Sequence, residues 1–210
     1  MYVPKHFEER DPDILSALMR QFNFALLVTA RNGVPVGTHV PLHVDDGGKN
    51  GRLFGHLARA NDHWQDFDGE REAMAVFQGP HSYISPNWYV SGGQVPTWNY
   101  ATVHAYGKPR VIQDPSVVTD ILWRLVGDNE NDATGNWSMD KLSKGKVAAK
   151  LRSIIAFEMP IERLEGKFKM SQNREAEDAQ GAANGVRAAN GADANAVAAE
   201  IEKRMRRART

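Results

Sequence analysis

The sequence predicts a mainly β fold, a small barrel or rolled sheet with helices at its periphery. Residues 24–30, 34–44 and 52–58 are apolar or alternating runs of strand length in the first half of the chain. The turns between them, RNG and DDGGKNG, are short, which favours antiparallel pairing. Alternating βαβ units are missing, so a doubly wound sheet is not expected.

The remaining elements follow from local signals. Asp11 and Pro12 are typical of a helix start, Asn61 can cap a brief helix, and Pro115 can begin another. Further strands are predicted at 73–79, 99–112 and 154–170, and helices at 12–22, 62–67, 115–127 and 138–153. From Glu175 onward the composition shifts to Ala, Gly and Asn. We therefore predict a domain at 1–174 and an Ala-rich helical C-terminal extension at 175–210, tied only partly to the domain.

The composition excludes several classes of protein. Lys plus Arg equals Asp plus Glu, 26 each, so no global field recruits nucleic acid or an anionic membrane. The chain has no cysteine, which excludes disulfides, thiolate zinc sites and iron–sulfur clusters. No signal peptide or membrane-spanning apolar run is visible, so a cytoplasmic protein without membrane contact is expected. GxGxxG, GxxxxGK[ST], HExxH and GxSxG are absent as well.

The strand at 34–44 has two unlike faces. Val34, Val36, Thr38, Val40, Leu42 and Val44 share the predicted core face. Pro35, Gly37, His39, Pro41 and His43 share the other, and the prolines favour an edge position. That second face indicates a ligand or subunit contact, with two surface histidines as the alternative. The two imidazoles lie roughly 13 Å apart along a strand, so they cannot share one metal ion.

A possible anion site follows the strand at 52–58. His56 lies near its end, Arg59 follows, and Asn61 begins a helix, which places a guanidinium beside backbone N–H groups. Both features favour a phosphate, and Thr38 and His39 could supply further donors. The alternative is that Arg59 makes a surface ion pair and Asn61 only caps.

The segment between residues 76 and 107 is rich in aromatic, amide and imidazole side chains. Trp98 or Tyr83 could form the wall of a pocket for a flat heterocycle, and Gln78, Asn99 and Thr102 could contact its polar edge. The alternative is a structural aromatic cluster beneath a long loop.

The C-terminal stretch KRMRRAR, residues 203–209, is basic. Basic residues in the last turn of a helix complement the helix dipole. The alternative is a tail that contacts DNA.

Several segments resemble the PaiB family, which is described as FMN-binding negative transcriptional regulators. They are MYVPKHFEE, GHLARANDHW, VFQGPHSYISPNWY, VPTWNYATVHAYG and LEGKFKMSQNR, in order from residue 1 to about 174. The resemblance implies a split β-barrel related to pyridoxamine-phosphate oxidases, which forms a homodimer with FMN between the subunits. Residues 1–174 would then be the FMN-binding domain.

The resemblance also implies particular contacts. The flavin phosphate would be held by the segments Thr38, His39 and Val40, and His56 to Asn61, with Arg59 as the main anchor. Trp98, Asn99 and Thr102 would lie near the ring system, and Gln172 would reach in from the partner subunit. Related oxidases bring more Arg and Lys to the phosphate than this chain does. A flavin-dependent oxidoreductase and a haem-binding or haem-degrading protein therefore stay open as alternatives, with haem as the second cofactor candidate.

Overall fold

The computed structural model describes residues 1–207, apart from the side chain of Lys144. The strands are β1 (Glu8–Glu9), β2 (Phe24–Arg31), β3 (Val34–Pro41), β4 (His43–Asp45), β5 (Arg52–Ala58), β6 (Ala73–Ile84), β7 (Thr97–Gly107), β8 (Arg110–Ile112) and β9 (Ile154–Lys169). The α-helices are α1 (Pro12–Gln21), α2 (Pro115–Asn129), α3 (Lys144–Arg152), α4 (Ala176–Ala189) and α5 (Ala194–Arg207). Within this described part, no helix is both long and apolar enough to cross a bilayer.

The strands form a nine-stranded sheet with the order β3-β2-β6-β7-β9-β5-β4, and β1 and β8 also pair with β9. The registered pairs are antiparallel, for example Leu27 opposite Thr38 and His56 opposite Ala156. The prediction of a mainly β fold with peripheral helices is thus confirmed. β3 ends the strand order, which confirms the edge position that its prolines indicated.

The chain divides into two compact units. Unit 1 comprises residues 1–15, 78–103 and the described residues from 165 onward, and unit 2 comprises residues 16–77 and 104–164. The long strands β6, β7 and β9 contribute residues to both units. Helices α4 and α5 belong to unit 1, so these units divide the chain at places other than the predicted boundary at residue 174.

Each unit has its own buried apolar residues. In unit 1 the facing sides of α4 and α5 bury Ala179, Ala182, Ala183, Val197, Ala198 and Ile201. In unit 2, α2 buries Val118, Ile121 and Leu125 in a cluster with Ala156 of β9.

Two details of the predicted strands are corrected. The core face of the strand at 34–44 is buried only from Val40 onward, and Val34 is 63% exposed because the start of β3 lies at the sheet edge. The loop between the predicted strands at 73–79 and 99–112 is shorter than expected, since β6 continues to Ile84 and β7 begins at Thr97. The buried residues of β6 have odd numbers up to Gly79 and even numbers at Pro80 and Ile84, so the alternation changes phase at Gly79 and Pro80 while the strand continues, and Tyr83 is exposed.

Candidate functional site

The predicted phosphate contacts lie in unit 2 and are called the phosphate set: Thr38, His39, Val40, His56, Arg59 and Asn61. Asn61 Nδ2 donates to Thr38 Oγ1 at 3.3 Å, and both residues are half-buried. Asn61 Oδ1 accepts the backbone N–H of His63 at 3.1 Å and so caps the short 3-10 helix Asp62–Asp66, as predicted. Val40 is buried, so its side chain belongs to the core. The structure thus brings Thr38 and Asn61 together at an accessible place.

A buried hydrogen-bond chain that the sequence did not reveal continues from Thr38. His63 is fully buried, with Nδ1 2.8 Å from Thr38 Oγ1 and Nε2 2.9 Å from Thr29 Oγ1. Thr29 Oγ1 donates to Asp66 Oδ2 at 2.8 Å. Asp66 also accepts from Arg31 Nε at 2.9 Å. The only local signal for this chain was the position of His63, two residues after the predicted cap.

Burial and hydrogen bonding shift the pKa values within this chain. Burial lowers the pKa of His63 and favours the neutral ring. Burial alone would raise the pKa of Asp66, but hydrogen bonds from Arg31 and Thr29 outweigh it, so the Asp66 pKa is lowered. The hydrogen-bond chain therefore joins the neutral imidazole of His63 to the ionised carboxylate of Asp66.

The Arg59 side chain donates hydrogen bonds to backbone carbonyls rather than to a carboxylate. Its Nε donates to Arg152 O at 2.8 Å and its Nη2 to Ile154 O at 3.0 Å. The backbone N–H groups of Arg59 and Asn61 donate to carbonyls as well, so these two are not the free donors that were predicted. Arg59 lies at a mostly apolar cleft of about 580 Å³, whose lining includes Trp64 and Arg152.

The two histidines of the phosphate set differ in environment. His39 is exposed and stacks on Phe24 with ring centroids 5.9 Å apart. His56 Nδ1 is buried without a hydrogen-bond partner in the described structure, and burial lowers the pKa of this imidazole. A buried polar atom without a partner is costly, so a ligand that supplied one would stabilise this strand.

The predicted ring contacts lie in unit 1, where an exposed aromatic wall forms on β6 and β7. Trp98 is 53% exposed and Tyr83 is 43% exposed, with ring centroids 6.2 Å apart in an edge-to-face arrangement. His81 lies 6.3 Å from the Trp98 ring, and Gln78 Nε2 is 3.4 Å from His81 Nδ1. Indole, phenol, imidazole and amide groups therefore share one surface, here called the aromatic wall.

Asn99 lies on the other face of β7 from Trp98. It is buried, and its Nδ2 donates to Ser171 Oγ at 2.8 Å, whereas Thr102 has the same parity along the strand as Trp98. Period-two alternation therefore separates the Asn99 side chain from the aromatic wall. The contact of Asn99 with the polar edge of a ring stays a prediction, and it would have to be made from the face of β7 opposite to Trp98.

Gln172 is folded back onto its own chain. Its Oε1 accepts from Met170 N at 2.6 Å, and its Nε2 donates to Phe168 O at 2.5 Å. Both ends of the side chain hold the end of β9, so reaching into another subunit would require Gln172 to release them.

The basic C-terminal segment makes ion pairs within unit 1. Arg204 is buried, and it contacts Glu9 Oε2 at 2.6 Å and Glu200 Oε1 at 2.8 Å. Arg207 Nη1 lies 3.6 Å from Glu9 Oε2. The last part of the predicted tail, residues 208–210, lies outside the described residues. Part of the positive charge at the end of α5 is thus already neutralised.

The residues present fit a flavin mononucleotide chemically. The phosphate set offers amide, imidazole and guanidinium donors, including the half-buried Asn61 and the exposed His39. The aromatic wall offers two exposed aromatic rings arranged edge to face, with the Gln78 amide near His81. Both features a flavin requires, anion donors and a ring-sized wall, are therefore provided by this chain.

Comparison with known proteins agrees with this chemistry. A family model described as "Putative FMN-binding domain" matches residues 1–163. The "Protease synthase and sporulation protein PAI 2" of Bacillus subtilis is 33% identical over 179 residues, which cover 85% of this chain and 85% of that protein.

Two solved structures show the same split-barrel fold at low sequence identity. The flavocytochrome Anf3 of Azotobacter vinelandii has a TM-score of 0.62 at 15% identity, and covers 80% of this chain and 72% of its own. The FAD and haem binding protein of Mycobacterium smegmatis has a TM-score of 0.55 at 13% identity, with coverage of 88% and 80%. The expected split β-barrel and the expected family are confirmed, and the chain belongs to the PaiB family of FMN-binding proteins.

Proposed function

We propose that this protein is a cytoplasmic homodimer that binds FMN and acts as a negative transcriptional regulator of the PaiB type. The observation that carries the flavin part is the aromatic wall, because two large aromatic side chains are exposed side by side with an imidazole and an amide. An exposed aromatic surface of this kind is typical of a binding site. Bound FMN would supply redox chemistry, and the chain's own residues bind and orient it.

The phosphate end of FMN is proposed to bind at the phosphate set. Asn61 and Thr38 are adjacent and half-buried, whereas His39, the next residue on β3, is exposed on the opposite face of the strand. Arg59 would contribute its positive charge, and a direct contact through its Nε or Nη2 would require release of the carbonyls of Arg152 or Ile154. Asn61 is therefore proposed as the main direct donor, with Arg59 as electrostatic support.

Substitution of the wall tests the ring contact. Trp98→Ala removes a stacking surface, and stacking of a flat base on an aromatic side chain is worth about 1–3 kcal/mol. We therefore expect FMN affinity, measured by quenching of flavin fluorescence, to fall by that amount. Trp123→Ala on α2 is the matched control, because Trp123 is also partly exposed, at 36%, but lies outside the wall. Equal FMN affinity in both variants would disprove the wall as the ring site.

The homodimer is supported by exposed apolar side chains in unit 1. Val90 is 73% exposed and Val95 is 66% exposed, on the segment that precedes Trp98. A subunit contact that covered both valines would remove this apolar surface from water. Sedimentation equilibrium with and without FMN measures the mass, and a monomer under both conditions would refute the dimer.

The regulatory role is supported by family membership alone. The described part of the basic segment is partly neutralised by Glu9 and Glu200, so the segment makes at most a modest electrostatic contribution to DNA binding. A mobility-shift assay on the upstream region of the protein's own gene, with and without FMN, tests the role. Oxidation of a nicotinamide cofactor by the FMN-loaded protein, without any DNA shift, would favour an oxidoreductase instead.

Haem binding is the second candidate, and one contact favours it. His81 is exposed, and its Nδ1 lies 3.2 Å from Asp193 Oδ2. A carboxylate on one ring nitrogen orients the other for a metal, which is the usual arrangement of ligating histidines. Two proteins of the same fold are described by their names as a flavocytochrome and as FAD and haem binding. A Soret band on haem titration, lost in His81→Ala but retained in His6→Ala, would establish this alternative.

A further inference from the structure

We propose that binding of a phosphate monoester at Thr38 and Asn61 is coupled to the uptake of one proton by the buried His63, which acts as a positioning residue for Thr38. This inference rests on the proposed function, in which the FMN phosphate binds at the phosphate set. The hydrogen-bond chain carries it, because its donors and acceptors can be assigned from both ends.

The outer end of the chain fixes the Asn61 amide. Asn61 Oδ1 accepts the backbone N–H of His63, so the amide cannot be flipped, and Nδ2 faces Thr38. A hydroxyl has one hydrogen to donate and lone pairs to accept. Thr38 Oγ1 therefore accepts from Asn61 and keeps its own hydrogen for another partner.

The inner end of the hydrogen-bond chain determines which nitrogen of the His63 ring carries the hydrogen. The ionised Asp66 can only accept, so the Thr29 hydroxyl donates to it and in turn accepts from His63 Nε2–H. In a neutral ring His63 Nδ1 then carries no hydrogen, and it accepts the Thr38 hydroxyl at 2.8 Å. With His63 neutral, the hydrogen bonds run in one direction from Asn61 through Thr38, His63 and Thr29 to Asp66, and the second hydrogen of the Asn61 amide is left for an outside acceptor.

While His63 is neutral, Thr38 cannot donate a hydrogen bond to a phosphate. Its only hydrogen is directed inward to His63, and a lone pair is all that it offers outward. When His63 gains a proton, Nδ1 becomes a donor to Thr38, and the Thr38 hydroxyl hydrogen loses its acceptor. A phosphate oxygen beside Thr38 is the acceptor that completes this second arrangement. Anion binding and protonation of His63 therefore stabilise each other, as linkage requires.

The charges that face His63 permit this change. Asp62 and Asp66 of the same short helix favour the protonated ring, and Arg31 from β2 opposes it. Arg71 Nη1 lies 3.2 Å from Asp66 Oδ1 and forms an ion pair with that carboxylate. Burial also opposes the charged ring, which keeps His63 neutral until the dianion arrives.

Calorimetric titration of the full-length protein with FMN tests the coupling. Titrations in two buffers of different ionisation enthalpy give the number of protons taken up. We expect net uptake that rises toward one proton per FMN as the pH is lowered from about 7.5 to 6.5, and FMN affinity that rises by up to about tenfold per pH unit. The FMN phosphate itself titrates near pH 6, with the opposite effect on the proton count.

The controls separate these contributions. Riboflavin lacks the phosphate and should bind without proton uptake. Thr38→Val keeps the side-chain shape but removes the hydroxyl. In this variant, FMN binding should still show the protons exchanged by the FMN phosphate, but not the proton taken up by His63. If Thr38→Val abolishes FMN binding, His63→Gln gives the same comparison, because it cannot titrate.

The outcomes discriminate between the two proposals. FMN binding with no proton uptake, or with equal uptake by wild-type protein and Thr38→Val, overturns the role of His63 and leaves the proposed function intact. Equal uptake with riboflavin also overturns it, because the proton would not be linked to the phosphate. Absence of FMN binding at every pH refutes the proposed function and this inference together.

Discussion

Asn61 shows how one side chain links local structure to a binding site. Its Oδ1 begins the helix Asp62–Asp66, and its Nδ2 holds the Thr38 hydroxyl. The capping role was predictable, because it depends on neighbours in sequence. The burial of His63 was not, since its partners Thr38 and Thr29 lie 25 and 34 residues away. The burial of Asn99 was not predictable for a related reason, because its partner Ser171 comes from a segment 72 residues later.

The buried hydrogen-bond chain that contains His63 and Asp66 predicts that the protein loses stability in acid. His63 and Asp66 both have pKa values lowered by folding, so the unfolded protein binds more protons than the folded protein as the pH falls. The stability due to His63 is complete above its unfolded pKa, near 6.5, and is lost as the pH falls toward its folded pKa. We expect the free energy of unfolding, measured in urea, to decrease from pH 7 to pH 5.

Substitution isolates the histidine in this effect. In His63→Gln the decrease should be smaller, because the buried titrating group is gone. His6→Gln is the control, since His6 is exposed near the N-terminus, and its pH profile should match that of the wild-type protein. A His63→Gln profile parallel to the wild-type profile would contradict this account of the chain.

At the scale of elements, the predictions held where one residue determines the backbone. Pro35 and Pro41 indicated the edge position of β3, and Pro12 and Pro115 indicated helix starts. The continuation of β6 through Pro80 was missed, because a proline inside a strand is tolerated only when its neighbours leave its nitrogen unpaired. Such pairing depends on the whole sheet and not on the local sequence.

Two glycines in helices give a matched test of element packing. In α4 a Cβ on Gly185 would overlap the Trp88 indole, whereas in α2 a Cβ on Gly127 would meet nothing within 4 Å. Gly185→Ala should destabilise the protein by about 1–3 kcal/mol, as overpacking does. Gly127→Ala should stabilise it by about 0.5–1 kcal/mol, because glycine is unfavourable within a helix. Thermal unfolding of the two variants measures both, and shifts of the same sign would contradict the packing of α4 on Trp88.

For the whole molecule, short turns and strand-length apolar runs were enough to predict the fold class. The compact units were not predictable, because unit 1 gathers three segments that are far apart in sequence. Helices α4 and α5 follow the composition shift at Glu175, yet composition does not show which residues those helices bury. The two sets of predicted FMN contacts fall in different units, so each set needs its own test.

The most direct test of the FMN account is the affinity of Asn61→Asp for FMN and for riboflavin. Aspartate caps a helix as well as asparagine does, so the helix Asp62–Asp66 should be retained. It places a negative charge where the phosphate is proposed to bind, and we expect FMN affinity to fall by at least about tenfold, or about 1.4 kcal/mol. Riboflavin affinity should be unchanged. An equal effect on both flavins, or no effect on FMN, would show that the phosphate binds elsewhere.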